Sequence, residues 1–242
     1  MDAPDSSPVV LHADSEHSGL RFAVLATFFV SFIFIFLILA VILRSLSGTL
    51  ISDFYFILSC AGALALAIGA AGFTEYIAKQ RWLSGRSIAL NDDGIVAIVD
   101  PPEELHFSWA GHNSVVRWYS RLSGYRRGGR ERRVPSTWLC ISCQLQQDEN
   151  RIIAFSYLPE ERAGSFIEDN RTLELRPGEF YKSSMFRRWF SPPSRPEIPT
   201  KVLVGKQGHY WLAERRRWNE GMELDIDDFF VFMEEVSRRV KE

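Results

Sequence analysis

Lysine is scarce in this chain: of 28 basic residues 5 are Lys and 23 are Arg. A guanidinium bias suits bidentate contact with carboxylate or phosphate; an arginine-rich genome gives the same bias. Cysteine is scarcer still, and an odd count of three argues against a disulfide framework. Cys140 and Cys143 form C-x-x-C, yet no second pair completes a tetrahedral zinc site, and residues three apart in a strand point to opposite faces. The nearest approach to a metal cluster, Glu103, Glu104, His106 and His112, is spread over a strand and a turn and reads as surface chance. G-x-S-x-G, a phosphate-cradling Walker-type loop and H-E-x-x-H are all missing. No catalytic residue, metal or cofactor is therefore nominated, and the expectation is a protein that is not an enzyme.

Charge is missing from two long stretches. Residues 22–43 and 54–73 carry no Asp, Glu, Lys, Arg or His. As a helix the first would be about 33 Å long, enough for a hydrocarbon core of about 30 Å. The two runs predict a transmembrane helical hairpin over residues 21–83, with no ion path inside it. Residues 1–20 are polar and acidic and predict a disordered tail. They lack the basic start of a secretory signal. Arg21, Lys79, Arg81 and Arg86 lie on the side of the hairpin shared by the termini, against Arg44 alone in the connection. That excess predicts both termini and the soluble region in the cytoplasm, at a cell (inner) membrane. Within the hairpin Phe28, Phe32 and Phe36 share one helical face, and Ala61, Ala65 and Gly69 make a groove of small residues, with Ala63, Ala67 and Ala71 beside them. Such a groove admits a close helix, either the Phe ridge of the first span or another subunit of a homo-oligomer.

Beyond the hairpin the texture changes. Short runs rich in Val, Ile, Trp and Phe at 87–90, 94–99, 105–109, 114–120, 138–145 and 152–157 are separated by turn residues and predict an antiparallel meander. Residues 201–204 and 209–213, around Gly205-Lys206-Gln207-Gly208, predict one more hairpin. The chain closes on an amphipathic helix. Asp225 is placed to cap it, Leu224 and Phe229 to staple it, and Phe229, Met233, Val236 and Val240 form its apolar stripe. Glu234 with Arg238 and Glu235 with Arg239 are favourable i, i+4 pairs.

Two spans, then Ser87-Ile88-Ala89-Leu90-Asn91-Asp92-Asp93-Gly94-Ile95, an aromatic strand His106-Phe107-Ser108-Trp109, and a late Asp225-Ile226-Asp227-Asp228-Phe229-Phe230 resemble the bacterial membrane-anchored pleckstrin-homology-like (PH-like) proteins. The resemblance covers about residues 20–158 and 201–241. It implies an α+β cytoplasmic domain over residues 84–242, a bent antiparallel sheet closed by the C-terminal helix, interrupted by an insertion at 159–200. It implies a recognition or scaffolding module with no catalytic residues.

The candidate binding residues are basic. Between Val115 and Arg133 stand seven Arg and one acid, Glu131. Arg121, Arg126, Arg127, Arg130, Arg132 and Arg133 read either as a solvated hairpin tip or as a site for anionic lipid or a protein partner, since each base near an anionic membrane contributes up to about 1 kcal/mol. Phe186, Arg187, Arg188 and Trp189 suit either the membrane interface or a fold-back on the domain. Arg215-Arg216-Arg217 with Trp211 and Trp218 poses the same choice, and a solvated face is the reading preferred. Nucleic acid is not expected, because residues 74–242 hold 26 bases against 25 acids and no recognition motif. The function expected is a membrane-anchored, non-catalytic binding module; the alternatives are a structural subunit of a larger membrane complex and an enzyme with an unrecognised site.

Overall fold

The computed structural model describes residues 8–15, 18–45, 54–100, 103–123, 127, 129–177 and 198–240. The chain divides into two compact units, Glu16–Ser84 and Met1–Ser15 with Gly85–Glu242.

The first unit is a helical hairpin of α1 (Ser18–Ser45) and α2 (Tyr55–Arg81), both long and apolar enough to cross a membrane. The Phe ridge of α1 forms as its spacing predicts: Phe28, Phe32 and Phe36 stack at 6.3 and 6.4 Å, and Phe36 meets Phe56 of α2 edge-on at 5.6 Å. The groove that packs within the hairpin is not the predicted one. Ser59, Ala63 and Ala67 are the buried residues of α2, while Ala61, Ala65 and Gly69 are exposed. A two-residue step turns about 200° around a helix, so the two small-residue rows face apart. A Cβ at Gly62 would lie 3.0 Å from Leu39 Cδ1, whereas at Gly69 it would meet nothing within 4 Å.

The second unit holds two sheets. One is antiparallel in the order β1 (Val9–His12), β2 (Ser87–Leu90), β3 (Gly94–Asp100), β4 (Glu103–Ser108). Its alternation sends Leu11, Ile88, Leu90, Ile95, Ala97 and Phe107 inward. Gly94 is required, because a Cβ there would stand 1.9 Å from the Phe107 carbonyl oxygen. The disordered tail expected over residues 1–20 is corrected at residues 9–12, while residues 1–7, 16 and 17 lie outside the described residues. Val9–His12 pairs with β2, placing Leu11 opposite Ile88, and Leu11 is buried. Three consecutive apolar residues, Val9-Val10-Leu11, two of them β-branched, suffice for an edge strand when a partner is supplied.

The other sheet is centred on β5 (Ser114–Arg121), β6 (Leu139–Gln147) and β7 (Asn150–Leu158), consecutive and antiparallel. It is flanked by β8 (Thr172–Leu175), parallel to β5, and by β9 (Met222–Glu223), parallel to β7. The single meander predicted from 87 to 157 is thus split between two sheets. The insertion expected at 159–200 begins as α3 (Glu160–Glu168) and β8, and both reach the interior through Ala163 and Leu175. Residues 178–197 lie outside the described residues.

The hairpin predicted at 201–213 is corrected as well. Those residues form α4 (Thr200–Leu203) and the start of α5 (Gly208–Glu220). Gly208, Trp211, Glu214 and Arg217, three apart, are the buried face of α5, a helical period that outweighs the local β-formers. A Cβ at Gly208 would stand 1.8 Å from the Leu203 carbonyl oxygen, so glycine permits the tight join of α4 to α5.

The main core lies between the two sheets and α6 (Ile226–Arg239), which buries Phe229, Phe232, Met233 and Val236. Leu224 joins the same core, Asp225 stands at the N-cap position without a side-chain cap bond, and Glu235 accepts from Arg238 at 2.7 Å and Arg239 at 2.9 Å. The other face of the five-stranded sheet is covered by α4 and α5 around Trp118, Ile153, Leu175 and Trp211.

Candidate functional site

The segment between β5 and β6 carries the predicted basic residues, and the fold gives it an internal anchor. Leu122 is buried at its base and donates its N–H to the Trp138 carbonyl at 3.2 Å. At its centre a short 3-10 turn, Gly129–Arg132, points Glu131 inward, where it is 1% exposed. There Arg217 of α5 donates to Glu131 Oε1 at 3.2 Å and grips Glu214 with two bonds, at 2.8 and 2.9 Å. The same guanidinium lies 4.8 Å from the Phe155 ring centroid, and Trp118 Nε1 donates to Glu214 Oε2 at 2.8 Å.

Three charges buried together need mutual satisfaction, since an unpaired buried ion costs several kcal/mol. Burial opposes the Arg217 cation, but Cys140 and Glu214 beside it raise its pKa well above the ordinary arginine range. Burial likewise pushes the neighbouring Cys140 thiol up to about 12 and raises the Tyr157 phenol. Both stay protonated near neutrality, so Cys140 supplies no thiolate there. Cys143, on the opposite face as the strand geometry requires, belongs to the main core. The chemistry of the cluster is that of a clamp, tying the basic segment to α5.

The predicted basic residues divide by location. Arg121 is bound to Glu160 at 3.0 Å and lies 3.7 Å from Glu174; the Glu160 hydrogen bond raises its pKa. Arg117 is buried in β5 and meets Asp169 at 3.5 Å. Arg127 donates to the Val134 carbonyl and Arg132 to the Arg127 carbonyl, bonds that shape the segment. Arg132 and Arg133 are exposed. Arg126, the Arg130 side chain and Phe186, Arg187, Arg188 and Trp189 lie outside the described residues. The solvated face expected at residues 215–217 is corrected at Arg217, which the helical period turns inward with Glu214. Arg86, counted above among the bases that set orientation, donates to the carbonyls of Val99, Glu220 and Gly221 and pairs with Asp14.

Sequence reasoning missed Glu131, Glu214 and Arg217 as partners. A signal was present in the lone acid among seven Arg. No family model, curated protein or solved structure matches this chain.

Proposed function

We propose that the chain is a membrane-anchored recognition module whose basic segment holds the soluble unit against anionic lipid. The observation that carries this reading is the Glu131–Arg217–Glu214 clamp: a buried ion cluster fixes the centre of a segment that exposes Arg132 and Arg133. Fixed cations orient a tethered domain on an anionic surface better than a loose run would, because little ordering entropy remains to be lost.

Chain connectivity supports the membrane topology. The chain leaves the soluble unit after β1, passes through the hairpin and returns to pair β2 with β1, so both ends of the hairpin emerge on one side. The excess of bases there favours the cytoplasm. Four consecutive antiparallel strands, three more in a second sheet and a C-terminal amphipathic helix support the PH-like plan, with β8, β9, α3, α4 and α5 as additions to it.

Hydrogen exchange of residues 121–133, measured on the full chain in nanodiscs, tests the reading. Exchange is expected to slow when phosphatidylglycerol is added to a phosphatidylcholine disc, and the combined change of Arg126, Arg127, Arg130, Arg132 and Arg133 to Ser abolishes the slowing. Identical exchange in both discs sinks it.

The exposed Ala61, Ala65 and Gly69 row favours a second reading, a subunit that packs against another span. Ala65→Leu with Gly69→Leu would then lower the mass of the detergent-extracted complex; an unchanged mass counts against it.

A further inference from the structure

The β6–β7 hairpin ends in an acidic turn, Asp148-Glu149, about 27 Å along the nine residues of β6 from the basic segment just described. There a cleft of about 460 Å³ opens between the two sheets. Its apolar wall is Val99, Leu105, Ile152 and Met222, with Ile153 lining it by its backbone while its side chain turns to the opposite face, and its rim carries Glu103, Glu149 and Glu220 against Arg151 alone. Arg151 lies 4.0 Å from Glu220, so Glu103 and Glu149 carry the rest of the rim's charge.

Two strand edges border this cleft. β9 pairs with β7 only at Ala154 and Phe155, and no described strand lies beside residues 150–153 on that edge. β4 is the terminal strand of the other sheet, and Asn150 Nδ2 reaches its His106 carbonyl at 3.4 Å. An open edge offers backbone donors and acceptors to an added strand, an apolar wall takes every second side chain, and an acidic rim selects the charge of the others.

We propose that the cleft receives an extended basic segment of a partner protein, added as a strand along β7 with its Lys or Arg residues toward Glu103 and Glu149. This interaction is separate from the lipid reading and does not depend on it.

The test titrates the full chain, in detergent micelles at low salt, into a fluorescein-labelled peptide of alternating Lys and Val, followed by anisotropy. Saturable binding is expected, weakened by at least about tenfold in E103Q/E149Q and lost when alternate peptide nitrogens are methylated. Glu103 and Glu149 are exposed, so the variant keeps the native urea midpoint. E161Q/E234Q, which removes exposed carboxylates of α3 and α6, leaves the affinity unchanged. Absence of binding overturns the proposal. So does equal weakening by E161Q/E234Q, which means general attraction to acidic surface, and so does indifference to methylation, which means capture of side chains without strand addition.

Discussion

The two faces of the five-stranded sheet are buried by different means. Toward the four-stranded sheet and α6 it presents Ile141, Cys143, Leu145, Ile152 and Ala154, an apolar layer broken at β5 by the buried Arg117, which meets Asp169. Toward α5 it presents Trp118, Ser120, Cys140, Ser142, Gln144 and Tyr157, beneath the Glu131–Arg217–Glu214 cluster. Ser120 Oγ and Gln144 Oε1 are buried there without a hydrogen-bond partner. The first face is a core; the second combines core with a polar clamp whose members must meet at fixed positions. A slip of one residue in β6 would exchange the two faces, so the clamp also specifies register.

The largest difference between the faces should appear when Arg217 is removed. Arg217→Met leaves two carboxylates buried without their cation and costs about 3–5 kcal/mol, read as a fall in urea midpoint of the detergent-solubilised chain. Replacing Glu131 and Glu214 by Leu in the same variant restores most of that loss. A single variant as stable as the parent would show that the clamp bears no load.

Alkaline pH separates the faces next. The folded chain keeps the Cys140 proton until about pH 12, while the unfolded chain releases it near its ordinary 9.0. The stabilisation from this group is full below pH 9 and is lost as pH rises from 9 to 12, at about 1.4 kcal/mol per pH unit at the steepest. Tyr157, also raised by burial, deepens the loss above pH 10. The slope of urea midpoint against pH should flatten in Cys140→Ala; an identical slope would place the titration elsewhere. The smallest effect belongs to the apolar face. Ile141→Val should cost about 1 kcal/mol, equally at pH 7 and pH 10, and a pH-dependent cost would show that the faces are coupled.

The apolar face was legible in part, because the short apolar runs that became β5, β6 and β7 and the 3.6-residue stripe of α6 are local patterns. Phe232 escaped the predicted stripe, although it is buried beside Phe229 and Val236. The clamp was not legible. Glu131 and Arg217 are 86 residues apart, and the lone acid in the Arg run, the one local sign, does not name its partner. Reading residues 209–213 as a strand hid the matter further, since only a helix puts Glu214 and Arg217 side by side while Arg215 points out. The edge strand Val9–His12 was concealed by the acidic residues around it and by a partner beyond the whole hairpin.

That strand fixes an order of assembly. Val9–His12 leaves the ribosome first, yet its partner Ser87–Leu90 is made only after both long helices. The four-stranded sheet therefore cannot be completed until the intervening hairpin has been synthesised. Closing a loop of about 70 residues by strand pairing alone would be entropically unfavourable. Packing of α1 against α2 offsets part of that cost by holding the two ends of the loop near each other. Asp14 and Arg86, which flank β1 and β2 on the side of the hairpin, pair with one another where the chain leaves and re-enters that sheet.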